Sequence, residues 1–239
     1  MINFKIIKLK EVDSTQKYCK LLGLKGQKNI IVVSETQTAG KGRMDRFWYS
    51  HYGGLYFSML LDINNINIEK INFITSLSIL NVLKKYSNKN FKIKFPNDII
   101  LENENSNEYK KICGILSEIN LNNNFLIVGI GVNINNTISE EIKDRAISLK
   151  DLENKEFNNF DLLNDFIVNF NKYLNYNCEK LLENYKLNCS TIGKKVKIIL
   201  PNNELVGIVK DINYNGLILN TEKEDIIVSV GDCVYLRGV

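Results

Sequence analysis

Residues 91–132 read FKIKFPNDIILENENSNEYKKICGILSEINLNNNFLIVGIGV, and their alternation of strand-like runs and turn residues indicates the fold class. Pro96 cannot extend a central β-ladder, and the asparagine-rich segments 102–108 and 122–124 suit the turn between two strands. The β-forming runs between these breaks are 91–95, 99–101, 112–121 and 125–132. The pattern therefore predicts consecutive hairpins, the first with a solvated tip at 102–108.

The residues before this stretch supply further strands and two helices. Runs at 3–9, 30–34 and 55–61 have strand character, and Asp13 is placed to cap a short helix that ends at Leu22. Apolar residues recur at helical spacing from Ile68 to Tyr86, which predicts a long helix on one face of the sheet. Together the elements predict an α+β domain with a mixed sheet.

The sequence changes character after a second long amphipathic pattern, Asp161–Leu187, which predicts the last helix of this domain. Short strand-like runs divided by turns then fill Val196–Leu236, a spacing typical of a small β-barrel. We therefore expect two domains, 1–189 and 190–239.

The composition excludes several classes of protein. A net charge of +4 over 239 residues is a mild positive bias, far from the clustered basic stripe of a dedicated nucleic-acid binder, and does not by itself identify a partner. No apolar run approaches the roughly 20 residues that span a membrane. The five cysteines are scattered without a C-x-x-C pair, so we expect neither a disulfide framework nor a zinc site. These features favour a cytoplasmic protein with no membrane partner.

The segment Glu35–Arg43, ETQTAGKGR, indicates a phosphate-binding loop. Gly40 and Gly42 permit close approach of an anion to the backbone, while Lys41, Arg43 and Arg46 supply positive charge. A solvated basic turn is the competing interpretation. We expect the loop to become ordered when a ligand binds.

Two further segments carry chemistry. Asn97 and Asp98 follow Pro96 in a turn that directs an amide and a carboxylate outward, and Lys111 enters an apolar strand. A lysine in such surroundings needs a negative partner or a shifted pKa, so a ligand phosphate or carboxylate is a reasonable partner. Alternatively, Lys111 only begins an exposed strand.

Five motifs in order and register resemble the biotin protein ligase family across almost the whole chain. They are DSTQ at 13–16, QTAGKGR at 37–43 with Trp48, FPND at 95–98, KICGILSE at 111–118 and GIGVN at 129–133. The resemblance implies a mixed sheet of the class II aminoacyl-tRNA synthetase-like type with a C-terminal SH3-like barrel. It also implies that ATP activates biotin to biotinyl-5′-AMP, and that a lysine of a biotin carboxyl carrier protein or domain then receives the biotin.

The family's motifs carry residue roles onto this sequence. Lys111 and Arg43 would be the catalytic cations, and Asp98 would face a Mg²⁺ ion. Biotin-binding residues would be Ser14, Thr15, Gln37, Gly40, Lys41, Trp48, Lys111 and Gly114. Residues for ATP or the adenylate would be Arg43, Arg46, Trp48, Asn97, Asp98, Gly131 and Asn133.

The sequence departs from the family pattern at three positions. Lys41 stands where many members have arginine, Phe95 where tryptophan is commoner, and Asp45 where a small residue is usual. Asp45 could weaken phosphate attraction or pair with Arg46. The single histidine, His51, is interpreted as a loop residue rather than a catalytic base.

Two other functions compete with this interpretation. A lipoate protein ligase shares the fold and the acyl-adenylate chemistry, but Ser14, Thr15 and Gln37 suit a ureido ring better than a dithiolane. A non-catalytic nucleic-acid binder would use the basic loop and the barrel. Since the sequence begins directly with the catalytic motifs and lacks a helix-turn-helix, we expect no DNA partner; a homodimer through a sheet edge stays open.

Overall fold

A computed structural model of the chain describes residues 1–103, 108–200, 203–229 and 231–236, with Asp45 described by its backbone only. Most of the predicted hairpin tip at 102–108 therefore lies outside the described residues.

Seven strands form a mixed sheet in the order β1-β2-β3-β7-β6-β5-β4. The pair β1–β2 is parallel and the other neighbours are antiparallel. The strands are β1 Lys5–Val12, β2 Ile30–Gln37, β3 Leu55–Asp62, β4 Phe91–Lys94, β5 Asp98–Glu102, β6 Tyr109–Asn120 and β7 Phe125–Val132. The predicted mixed sheet and its hairpins are confirmed.

The second strand is longer than the sequence predicts. It continues three residues past Ser34 because Thr36 and Gln37 pair with Glu11 and Val12 of β1. The predicted loop therefore begins after Gln37, and Gln37 is the last residue of the strand.

Helices cover both faces of the sheet. The helices are α1 Thr15–Leu24, α2 Ile68–Tyr86, α3 Leu149–Glu153, α4 Asn159–Leu174 and α5 Cys178–Asn188. Helix α1 packs on β2, β3 and β7, whereas α2 lies on the opposite face with α4 and α5 against it.

Two helix predictions were wrong in detail. The cap of α1 is Ser14, not Asp13, because the Ser14 hydroxyl accepts from the backbone N–H of Lys17. The single helix predicted over Asp161–Leu187 is two helices. The first helix ends at Leu174, and Asn177 starts α5 by accepting from the backbone N–H of Lys180.

The main core lies between the sheet and α2, α4 and α5. Phe166 is fully buried in it, with its ring centroid 5.0 Å from that of Phe57 and 5.7 Å from that of Phe170. A smaller apolar cluster lies under α1 and includes Cys19, Leu60 and Phe125.

The α1 face of the sheet changes from large to small side chains along β7. Phe125 and Ile127 are buried under α1, but the next two positions on that face are Gly129 and Gly131. On β3, Leu60 is followed on the same face by Ser58, which also lines the cavity described below. The loss of side-chain volume leaves an open floor beyond the start of α1.

The C-terminal residues form a separate antiparallel sheet of five strands in the order β11-β10-β9-β8-β12. The strands are β8 Lys195–Ile199, β9 Glu204–Asn213, β10 Gly216–Asn220, β11 Asp225–Val228 and β12 Asp232–Tyr235. Among the described residues β11 and β12 are the two edges, so no pairing closes the predicted barrel there. The sheet has an apolar cluster of its own.

All five cysteines are free thiols. None of the described helices combines the length and the apolar character that crossing a membrane requires.

We predict that Phe166→Ala lowers the free energy of unfolding by about 3–5 kcal/mol, because it opens a cavity in the main core. Denaturant unfolding measures the change. Phe160→Ala is the matched control on α4, since Phe160 is 37% exposed, and it should cost about 1 kcal/mol or less. Equal losses in the two variants would contradict this description of the core.

Candidate active site

A cavity of about 560 Å³ opens above the floor of small residues. Its walls come from the start of α1, the loop after β2, strands β4–β6 and strand β12. Of the predicted site residues it brings together Ser14, Thr15, Gln37, Lys41, Arg43, Arg46, Trp48, Asn97, Asp98, Lys111, Gly114, Gly131 and Asn133. Lys111 and Arg43, which the prediction required to share one cavity, do so.

Gly40 is the predicted residue that does not line the cavity. It is buried behind the wall, where an added Cβ would lie 2.5 Å from the carbonyl oxygen of Trp48 and 2.7 Å from Oγ of Ser50. The absence of a side chain lets the loop backbone pack there, and a contact of Gly40 with biotin stays a prediction. His51 is exposed, donates to or accepts from Ser139, and is not among the lining residues.

One end of the cavity carries a fixed set of neutral polar groups. The side-chain oxygen of Gln37 accepts from the backbone N–H of Thr15 at 2.8 Å, and its amide nitrogen donates to Ser50 at 2.9 Å. The Thr15 hydroxyl is also hydrogen-bonded to Ser58 at 2.8 Å. Because both ends of the Gln37 amide are held, its orientation is set before any ligand binds.

Trp48 lies on the floor formed by two glycines that face each other across β6 and β7. Gly114 pairs with Gly131, and a Cβ on Gly131 would lie 2.4 Å from the indole Nε1, with one on Gly114 2.9 Å from the indole ring. Side chains at either position would displace the indole. Nε1 is buried against this floor and has no hydrogen-bond partner among the described residues.

The ammonium group of Lys111 is paired inside the cavity. Its Nζ lies 2.7 Å from a carboxylate oxygen of Asp98 and 5.1 Å from the centroid of the Trp48 ring. The inference that Lys111 needs a negative partner is thus correct, and Asp98 supplies that charge within the protein. The pair places one cation and one carboxylate beside the glycine floor.

The basic loop closes as a hairpin in the structure. The backbone N–H of Trp48 donates to the carbonyl of Gly40 at 2.9 Å, and that of Gly42 donates to Arg46 at 2.7 Å. Met44, at its tip, has a φ of 54°, in the left-handed region. The side chain of Asp45 lies outside the described part of the chain, and the ordering of the loop on ligand binding stays a prediction.

Three cations converge where the loop and β4 meet the C-terminal sheet, on residues 231–233. Arg43 donates to the carbonyl of Gly231 at 2.9 Å, and both Arg43 and Arg46 form ion pairs with Asp232. The buried Lys94 donates to the carbonyl of Cys233 at 2.6 Å. We call this cluster the seam.

Sequence reasoning missed the seam because its members are far apart in the chain. Lys94 directly precedes the FPND motif and Asp232 lies within the predicted barrel, and neither has a predicted role in the site. A lysine that enters a buried strand next to a motif turn was the available signal for Lys94. For Asp232 the sequence holds no comparable signal.

The lining of the cavity is strongly positive although the chain as a whole is not. Six cationic side chains line it, and Asp98 and Asp232 are its two described carboxylates. Burial raises the pKa of the Cys233 thiol to about 11, so this lining residue is protonated at neutral pH. The arrangement suits a ligand with a neutral polar end and a polyanionic end. The protonated Cys233 thiol adds no negative charge to the lining.

Comparisons with known proteins show which family the chain resembles. Residues 9–135 match the model of the biotin/lipoate A/B protein ligase family. The chain is 29% identical to the Bifunctional ligase/repressor BirA of Bacillus subtilis over 90% of its length and 69% of that relative. It is 27% identical to the Biotin--[acetyl-CoA-carboxylase] ligase of Mycobacterium tuberculosis, over 87% of its length and 79% of that protein.

A solved structure is similar over nearly the whole chain. The biotin protein ligase from Aquifex aeolicus, in complex with biotin and ATP, superposes with a TM-score of 0.82 at 30% identity. The match covers 98% of this chain and 99% of that one.

We predict that Gly131→Ala moves the indole of Trp48 off the floor and shifts its fluorescence emission to longer wavelength. Trp48 is the single tryptophan, so the emission reports this site alone. Gly129→Ala is the matched control, because a Cβ there meets Gln16 and not the indole. An unchanged spectrum for Gly131→Ala would mean that the indole does not rest on this glycine.

Proposed function

Because the chain belongs to the biotin/lipoate A/B protein ligase family, we propose that it is a biotin protein ligase. It joins biotin to the AMP part of ATP with release of pyrophosphate, which forms biotinyl-5′-AMP, and then transfers the biotin to a lysine of an acceptor protein with release of AMP. The observation that carries the proposal is the single cavity in which a fixed neutral polar end is joined to a wall of cations. The names of similar proteins, which are biotin ligases, support the same reaction.

The polar end suits the ureido ring of biotin. That ring offers two N–H donors and a carbonyl acceptor, and Ser14, Thr15 and Gln37 present hydroxyls and an oriented amide to match them. Trp48, which rests on the two glycines, would offer the opposite face of its indole to the bicyclic ring. In this proposal Lys41, exposed at the loop, closes the biotin side.

In the first half-reaction a carboxylate oxygen of biotin attacks the α-phosphorus of ATP, and pyrophosphate leaves. Negative charge gathers on the phosphoryl oxygens in the transition state, where fixed cations stabilise it. Lys111 is our choice for the cation at the carboxylate and the α-phosphate, with Asn97 and Arg43, which hydrogen-bond each other at 3.5 Å, beside it. Arg43 and Arg46 would cover the adenylate and exclude water, which would hydrolyse the mixed anhydride.

In the second half-reaction the ε-amine of an acceptor lysine attacks the activated carbonyl carbon. The bond to the phosphate oxygen breaks, AMP leaves, and the amine loses a proton as the amide forms. The acceptor supplies the nucleophile, so the protein needs none of its own. The protonated Cys233 thiol is consistent with this scheme.

Mg²⁺ is part of the proposal through Asp98. Among the described residues no group of three or more His, Cys, Asp or Glu side chains could hold a metal ion. Asp98, already beside Lys111, could offer one carboxylate to an ion that the ATP phosphates carry, which is how Mg²⁺ is commonly bound at nucleotide sites. The ion would neutralise phosphate charge there.

We propose a biotin carboxyl carrier protein or domain as the acceptor, in the cytoplasm, where the free thiols are stable. We also propose that the chain divides at 189/190 and that the C-terminal sheet is of the SH3-like type. For a homodimer, the open edge of the main sheet is β1. Its exposed Lys5, Lys8 and Lys10 are residues that protect an edge strand, which argues against pairing there.

Pyrophosphate exchange distinguishes the three functions considered. We predict ATP–pyrophosphate exchange with biotin and little with lipoate, since a dithiolane has no N–H donors for the Thr15–Gln37 pair. Exchange with lipoate alone would favour the lipoate ligase. Exchange with neither, together with salt-sensitive binding of RNA or DNA, would favour the nucleic-acid binder.

We predict that Lys111→Ala lowers the exchange rate by about 100-fold or more, because it removes the cation from the α-phosphate. Lys110→Ala is the matched control: the neighbouring side chain donates to the carbonyl of Lys143 and does not line the cavity. Because the substitution leaves Asp98 without its ion-pair partner, thermal unfolding is used to check that Lys111→Ala is folded. An unchanged exchange rate would remove Lys111 from the mechanism.

A further inference from the structure

Three asparagines follow β7 directly, and two of them form a buried relay. Asn133 and Asn136 are 4% and 3% exposed. Asn133 lines the cavity and Asn136 does not, so Asn136 can reach a ligand only through another residue.

The backbone of Asn133 is fixed on both sides. Its N–H donates to the carbonyl of Ile112 at 2.9 Å, and its carbonyl accepts from the N–H of Leu149 at 3.1 Å. The side chain therefore starts from a fixed point. The fixed backbone does not determine whether the amide oxygen or the amide nitrogen of Asn133 faces the cavity.

The relay sets the orientation of the Asn133 amide because it begins at a backbone N–H group. The backbone N–H of Ile134 can only donate, and it donates to Oδ1 of Asn136 at 3.0 Å. Nδ2 of Asn136 must then be the other end, and it donates to Oδ1 of Asn133 at 3.2 Å. Nδ2 of Asn133 is left over, with no acceptor among the residues that the structure describes.

The surroundings of Asn133 suit a base better than a phosphate. The cations of the seam contact residues 231–233, whereas Asn133 is bonded to Ile112, Asn136 and Leu149. Ile142 and Ala146, from the segment that pairs with Lys111 and leads to Leu149, add apolar lining, and Arg145 from the same segment adds one cation that can stack on a base. A flat heterocycle with one polar contact fits such a wall.

We propose that Asn136 is a positioning residue that holds Asn133 as a hydrogen-bond donor toward a ring nitrogen of the purine base. The inference rests on the proposed function for the identity of the nucleotide. It explains selectivity as well, because a ring N–H or an exocyclic amine at the same place would meet a donor and be rejected.

Asn136→Asp tests the relay with almost no change of shape. A carboxylate can still accept from Ile134, but its second oxygen cannot donate to Asn133. The Asn133 amide then turns over, donates Nδ2 to the new carboxylate, and presents an oxygen to the cavity. We expect the dissociation constant of ATP, measured by calorimetry, to rise about tenfold, with biotin affinity unchanged.

A new buried charge could also repel ATP, so the base must be varied. Binding of 1-, 3- and 7-deaza-ATP, each lacking one ring nitrogen, is compared in the wild-type protein and in Asn136→Asp. We expect one analogue to bind the wild-type protein about tenfold more weakly than ATP. In Asn136→Asp, the same analogue and ATP should bind with equal affinity. Charge repulsion acts equally on all four nucleotides and cannot produce this pattern.

Two more variants control for folding. Asn135→Asp makes the same chemical change in the neighbouring asparagine, which pairs with the backbone of Phe157 instead of Asn133, and should leave the analogue pattern as in the wild type. Asn136→Ala frees the Asn133 amide to take either orientation and should cost less ATP affinity than Asn136→Asp.

Equal behaviour of ATP and all three analogues, or a loss of biotin affinity instead of ATP affinity, would overturn the inference. A wild-type protein that binds ATP but does not exchange pyrophosphate with biotin would instead overturn the proposed function.

Discussion

The site depends on a part of the main sheet that carries almost no side chains. A sheet face normally buries large residues against a helix, and β7 does so at Phe125 and Ile127 under α1. At Gly131 and its cross-strand partner Gly114 that volume is missing, and the indole of Trp48 lies against the backbone instead. The remaining groups of the cavity are arranged around this floor, so its glycines constrain every contact that a flat ligand could make.

Three of the six cations that line the cavity are paired with carboxylates. Lys111 is paired with Asp98, and the two arginines of the loop are paired with Asp232. Paired cations can be held half-buried at modest cost, whereas isolated ones could not. A polyanionic ligand would therefore exchange partners with existing carboxylates, which keeps the cations oriented and also limits how strongly they attract unrelated anions.

The sequence predicts what is encoded locally. Short-range patterns predict the hairpins of 91–132, the start of the C-terminal sheet and the motif residues. Thirteen of the fourteen predicted site residues line one cavity. The sequence does not predict features that depend on one specific hydrogen bond or ion pair. The cap at Ser14 and the break at Asn177 depend on which neighbouring oxygen takes a backbone N–H, and the pairing of Arg43 with Asp232 joins residues 189 positions apart.

The seam also links the cavity to the order of protein synthesis. Chains leave the ribosome from the N-terminus, and domains fold as their residues emerge. Strand β12 follows every other element of the cavity wall in the chain, so the wall cannot be complete before Asp232 and Cys233 have been translated and released from the exit tunnel. A nascent chain with a finished main sheet would thus still lack the carboxylate that orients its two loop arginines.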